Sequence, residues 1–454
     1  MTEQPMDLNQ PPQAAVASPV FNPVGLASRA LQLVGFGVCV GLACWPLNLI
    51  DDQVEALLKH LPAYGRVTGS WSTAALGMAL APIAVVPLLL WLQSQRWQRS
   101  GGSGIPDTMA AIEDPATASE RLSSTVTLKR LTLWSVASFA LFPLGREGPV
   151  VQVGAAVAST LRQRWPRFLS DVTPSSLIAV GAGAGLAAGF NSPMMALVFI
   201  VEELLGVLQA PLIWPALVIC VVAAVLSGLL GQPQFALGQL NLVMPELDQL
   251  LQALPIGALA GVIGGLFARL LVVCSAWLLS RRTRHPLRWG LLLGGGISAL
   301  LLTGGGAAGG DGEALLKAVL SSEPTALQAS LAHPLAALGL IAQRFIGPIL
   351  PLAAGIPGGL IDPALTLGAM SGGLVADLLG HQLEVGIVFG MAAGLAGATQ
   401  LPLMTIAFVV RLVGDQDIIY GLVMASAVGA LSGRLLLNQP VYHALAALQR
   451  APRR

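Results

Sequence analysis

Residues 181–201, GAGAGLAAGFNSPMMALVFIV, recur without gaps as residues 390–410, GMAAGLAGATQLPLMTIAFVV. Nine of the 21 positions are identical, among them Gly181/Gly390, Gly185/Gly394, Pro193/Pro402, Met195/Met404 and Phe199/Phe408. In each copy a run rich in small residues leads to a proline and a second apolar run. Small residues let helices approach closely, and a proline at a first turn starts a new helix. Small-residue bias in apolar helices inflates such matches, so a second correspondence upstream carries weight. Gly145-Arg-Glu-Gly-Pro149 and Gly359-Leu-Ile-Asp-Pro363 share the form Gly-x-x-x-Pro, and the two offsets, 214 and 209 residues, nearly agree. Weak internal repeats with interrupted segments at corresponding places are the signature of transporter folds whose binding site lies near the bilayer midplane.

The composition sets the same class. Of 454 residues 54% are hydrophobic and 10% charged, with a mean hydropathy of +0.73. A soluble domain carries about 25% charged residues, so the chain reads as a multi-pass membrane protein. A net charge of +1 argues against nucleic acid as a partner. Fifty-two glycines and 31 prolines in so apolar a chain point to broken or re-entrant helices. Apolar tracts cover about 24–50, 70–92, 131–160, 175–206, 210–231, 254–280, 288–305, 334–356, 363–380, 384–413 and 418–437. Several are too long or too interrupted for one helix, so helices should outnumber tracts. Polar connections are expected near 93–130, 161–174, 232–253, 280–288 and 309–333.

The expected organisation is a polar, disordered tail over 1–23, a first transmembrane repeat over 24–232, a linker over 233–253 and a second repeat over 254–450, with no soluble domain after it. Basic clusters at Arg96/Arg99, Arg162/Arg164/Arg167, Arg281/Arg282/Arg284 and Arg450/Arg453/Arg454 are candidates for the cytoplasmic side or for ordinary solvated loops. The four cysteines lack metal-ligand spacing and read as buried free thiols, so no metal is expected.

Charge inside an apolar stretch is expensive and marks a functional site, with an ion or proton path as first guess. Residues 145–152, Gly-Arg-Glu-Gly-Pro-Val-Val-Gln, join such a charge to a helix start. A helix start offers backbone N–H groups and a positive dipole end to an anion, without a full cation that would trap it. Three further places could converge on the same anion: Gly102-Ser-Gly-Ile-Pro106, Pro357-Gly-Gly-Leu-Ile-Asp-Pro363, and Tyr442, one of only three tyrosines. Singly, each has a plainer reading, with Ser103 an N-cap, the glycines packing and Tyr442 an interfacial anchor.

Together GSGIP at 102–106, GREGPVVQ at 145–152, GGLIDP at 358–363, a late Pro-x-Tyr at 440–442 and GLAAGFNSPMMALVFIVEEL at 185–204 resemble the motif set of the CLC chloride channel and transporter family, in its order and spacing, over about 24–445. The resemblance implies an all-helical fold of tilted, broken helices in two inverted repeats, a homodimer with one pore per subunit in the inner membrane, and no enzymatic activity or cofactor beyond chloride and protons as substrates. It implies that Ser103 and Tyr442, with the N–H groups of Leu360 and Ile361, hold chloride. It makes Glu147 the gating glutamate within the helix-start motif Gly145, Arg146, Gly148 and Pro149, with Arg146 a structural neighbour. A glutamate at the position of Glu203 relays protons in the family's antiporters and is apolar in its channels, which favours antiport over a passive channel. Glu113 matches an acid near the internal proton entry.

Three positions depart from the family's pattern. Ile361 stands where Phe is usual, and Asp362 where a small or polar residue is usual; Asp362 adds a negative charge near the anion path unless it faces away or caps the helix. Arg411 replaces a frequent glutamate and would pair with Asp415 or snorkel. Ser103 and Tyr442 speak against a fluoride exporter, and Ser103 against a nitrate-selective member, which carries Pro there. An intramembrane serine protease, with Ser103 as nucleophile and His333, His381 or His443 as base, is disfavoured because no apolar helix follows Ser103 to bury a dyad.

Overall fold

The computed structural model of the chain describes residues 23–65, 70–230, 244–320 and 333–450, with isolated positions 237, 240, 242, 327 and 328. The expected tail short of Pro23, eight of the 21 linker residues at 233–253, and Arg453 and Arg454 lie outside the described residues, and the linker's last eight residues, 246–253, already belong to a helix. Among the described residues every regular element is a helix. They run α1 (Pro23–Leu58), α2 (Thr73–Ser94), α3 (Ile105–Glu113), α4 (Ala118–Arg121), α5 (Ser124–Phe139), α6 (Glu147–Arg164), α7 (Pro174–Phe190), α8 (Pro193–Phe199) and α9 (Ala210–Leu229). They continue with α10 (Glu246–Arg284), α11 (Pro286–Thr303), α12 (Glu313–Leu320), α13 (Pro334–Ala353), α14 (Ile361–Leu378), α15 (Leu383–Thr399), α16 (Pro402–Val413), α17 (Ile419–Leu436) and α18 (Val441–Arg450).

Seven helical stretches among the described residues are long and apolar enough to cross a membrane. The 39-residue α10 would measure about 58 Å at 1.5 Å per residue, so it outruns a hydrocarbon core of about 30 Å. Helices do outnumber apolar tracts, because the tracts break where glycine, proline and left-handed residues fall. Tract 131–160 divides between α5 and α6, 175–206 between α7 and α8, and 384–413 between α15 and α16. The breaks in the two repeat copies have one form. α7 ends on Asn191 at φ +48° and α8 opens on Pro193, while α15 ends on Gln400 at φ +62° and α16 opens on Pro402. The expected polar connections at 93–130 and 309–333 are not plain loops. They hold α3, α4, the start of α5, and α12, which are too short or too polar to register as apolar tracts.

Packing at the repeat depends on missing side chains. A Cβ added at Gly154 of α6 would run into the carbonyl of Gly181 in α7, and one at Gly368 of α14 into the carbonyl of Gly390 in α15. These contacts correspond under the same two offsets that align the sequences. The α6/α7 and α14/α15 pairs are therefore in backbone contact, as small residues at a helix interface allow.

Candidate functional site

The two Gly-x-x-x-Pro segments meet. Gly145 and Gly359 form an antiparallel bridge, with Gly145 N donating to Gly359 O at 3.0 Å and Gly359 N to Gly145 O at 2.8 Å. The bridge sets the starts of α6 and α14 beside each other, 214 residues apart in sequence. The Glu147 carboxylate, fully buried, reaches across it and accepts the N–H of Ile361, the first residue of α14. Space for that carboxylate comes from Gly145 and Gly359, since a Cβ at either would collide with it. A negative group thus sits on the positive end of a helix, where dipole and N–H both favour it.

Ser103 is brought to the same place by its own glycines. Gly102 and Gly104 take φ +79° and +95°, a region open to glycine at no steric cost, and turn the chain sharply into α3. The Ser103 hydroxyl accepts the Ile105 N–H at 3.4 Å, and the Ser103 carbonyl abuts Gly148 where any Cβ would clash. Arg130, buried in α5, holds this loop through the carbonyls of Arg99, Ser100 and Gly101 and through Asp107 at 2.7 Å. It follows Lys129 ahead of the apolar run that begins at Leu131, within the stretch expected as a polar connection, so the sequence does not mark this role. Arg344, fully buried in α13, likewise binds the carbonyls of Gly309 and Gly310.

Ser103, Gly358 and Leu360 line a cavity of ≈ 770 Å³, which Arg99, Arg121 and Arg284 also border. Tyr442 is the second residue of α18 and is fully buried rather than interfacial; its hydroxyl has no hydrogen-bond partner among the described residues. It lies near enough to Glu147, Glu203 and Asp362 to feel the charge of each.

Glu202 and Glu203 fall in a widened π-helical turn, Ile200–Leu205, which follows α8 and ends at Gly206 with φ +66°. Their fates differ. Glu202 accepts the N–H groups of Leu403 and Met404 at 3.2 and 2.8 Å and so caps α16. Glu203 is buried, with Oε1 3.3 Å from His443 Nδ1. Glu113 does not reach Glu203; it pairs with Arg450 at 2.6 Å. Arg411 does not pair with Asp415. Its Nε donates to the Asn191 carbonyl at 3.1 Å, while Asp415 accepts the N–H groups of Leu242 and Asp417. Arg146 binds Asp51 at 2.8 Å and lies over the Phe190 ring, 4.9 Å from its centroid. Asp362 neither caps α14 nor faces away: it is fully buried, near Glu147 and Arg146, with both oxygens lacking a hydrogen-bond partner among the described residues.

Residues 83–434 match the family described as voltage gated chloride channel. The chain belongs to that family. Curated relatives include the H⁺/Cl⁻ exchange transporter ClcA of Vibrio campbellii, 30% identical over 76% of this chain and 74% of that protein. The voltage-gated ClC-type chloride channel ClcB of Escherichia coli is 27% identical over 66% of this chain and 70% of that protein. Among solved structures, a CLC-type fluoride/proton antiporter superposes with a TM-score of 0.71 at 23% identity, covering 90% of this chain and 96% of the other. A slow cyanobacterial Cl⁻/H⁺ antiporter gives 0.70 at 23% identity, covering 94% and 99%. The fold of this family member is therefore the CLC transporter fold. It is an integral membrane protein.

Proposed function

We propose that the protein exchanges chloride for protons across the inner membrane, through a pore gated by Glu147. The observation that carries the reading is the Glu147 carboxylate seated on the Ile361 N–H at the start of α14. A carboxylate and a chloride ion ask for the same donors, and in a poorly screened pore their repulsion forbids both at once. Ionised Glu147 holds the place; protonated Glu147 loses its charge, leaves, and yields the N–H groups of Leu360 and Ile361 to chloride. The hydroxyls of Ser103 and Tyr442 supply two further donors that carry no net charge. Gly145, Gly148 and Pro149 shape the helix start, and Arg146, held by Asp51, supports it without touching the anion.

Buried Glu203 supplies the protons in this reading, and Glu113 is a lesser candidate at their entry. The name of the Vibrio campbellii relative supports exchange. The reading includes a homodimer with one pore per subunit, lipid around it, and chloride and protons as substrates with no cofactor.

In proteoliposomes, a chloride gradient should drive proton movement by the wild type. Glu147→Ala and Glu203→Ala should each pass chloride and pump no protons. Robust chloride flux with no proton movement in the wild type would sink the antiport reading in favour of a passive channel. Proton pumping retained by Glu203→Ala would move the proton path elsewhere.

A further inference from the structure

The side chain of Glu203 is 1% exposed, so the residue assigned to relay protons has almost no surface of its own. His443 covers it. Its side chain is 46% exposed, and its Nδ1 stands 3.3 Å from Glu203 Oε1, an ion-pair distance, while that oxygen has no hydrogen-bond partner among the described residues. His443 also lines a cavity of ≈ 370 Å³ together with Met109, Glu113, Ala446, Ala447 and Arg450. Three charged groups face the imidazole: Glu203 from the π-helical turn, Glu113 from the end of α3, and Arg450 from its own helix. Glu113 and Arg450 neutralise each other in a 2.6 Å pair, which leaves Glu203 as the carboxylate in direct contact.

We propose that His443 is the proton-entry residue of this protein, carrying protons from the cavity to Glu203. The inference rests on the antiport reading above. Imidazole suits the task because its unperturbed pKa, about 6.5, lets it take and give a proton near neutral pH. In the step itself the imidazolium Nδ1–H bond breaks and a bond from that proton to Glu203 Oε1 forms. The ring keeps the electron pair and becomes neutral; the carboxylate becomes the neutral acid. The ring then regains a proton from solvent in the cavity, and Glu203 passes its own onward. Glu113, the acid expected at this entry, is occupied with Arg450 and forms the cavity wall.

The test is the ratio of proton to chloride flux in proteoliposomes, for wild type, Glu203→Gln, His443→Ala and His443→Gln, from about pH 5 to about 8. His443→Ala and His443→Gln should lower that ratio about tenfold or more near neutral pH and flatten its pH profile. Added imidazole should restore the ratio in His443→Ala, where the truncated side chain enlarges the cavity, and fail in Glu203→Gln. A wild-type ratio and profile in His443→Ala overturns the inference. So does a loss that imidazole cannot restore while His443→Gln stays fully coupled, since that pattern marks a packing role. If Glu203→Gln abolishes coupling and His443→Ala does not, only the role of His443 falls. If Glu203→Gln stays coupled, the route in the antiport reading falls as well.

Discussion

The Tyr442 hydroxyl is fully buried and bonds to no protein group among the described residues, so its removal tests binding and folding separately. A hydrogen bond to a charged partner contributes about 1.5–3 kcal/mol. Tyr442→Phe should therefore weaken chloride binding about tenfold or more, measured by calorimetric titration in detergent. The thermal midpoint should hardly move, because no internal bond is lost. Unchanged affinity would remove Tyr442 from the anion site. Glu147 and Asp362 present the opposite case, two buried carboxyls beside one helix start with Arg146 as the nearby cation. A family motif makes Glu147 legible in the sequence. The placement of Asp362 was open there, because adjacent residues at a helix start point in different directions and only packing decides which faces the pore.

At the level of elements, the site is the meeting of three helix starts, α3, α6 and α14, and each is written locally. Glycine and proline at fixed offsets set where the helices begin, and the sequence shows these directly. Their meeting depends on interfaces without side chains. Gly154→Val would drive a branched side chain into the Gly181 carbonyl and force α6 away from α7. Overpacking of a tight interface costs about 1–3 kcal/mol or more. The variant should give little monodisperse protein on size exclusion, and Gly154→Ala should be intermediate. Normal yield of Gly154→Val would mean that the α6/α7 contact is dispensable. The short helices α3, α12 and α18 escaped an apolar-tract reading because each is only eight to ten residues long and carries charged residues. Yet α3 and α18 carry Glu113, Tyr442 and His443.

Across the whole molecule, the two copies of the repeat hold each other by charge. Glu202, after α8, caps the start of α16, and Arg411, its counterpart 209 residues later, binds the Asn191 carbonyl at the end of α7. An acid meets a helix N-terminus and a base meets a C-terminus, so each charge has the sign the opposing dipole requires. This accounts for arginine at 411, where glutamate would face a carbonyl. Arg411→Ala should lower stability by about 1 kcal/mol. Arg411→Glu should lower it further and reduce the thermal midpoint in detergent measurably more than Arg411→Ala. Equal midpoints for the two would deny the dipole contact.

The sequence by itself determined the membrane class, the helix breaks, the duplicated unit and the glycine-framed helix starts, because each follows from periodicity, composition or backbone freedom within a short window. Tertiary structure alone decided that Gly145 pairs with Gly359, that Glu147 lies on Ile361, that Arg411 reaches Asn191 rather than Asp415, and that His443 covers Glu203. These contacts join residues about 200 or more positions apart, and no local preference encodes them. They follow from which backbones can approach closely enough to pack, and that is a property of the assembled helices.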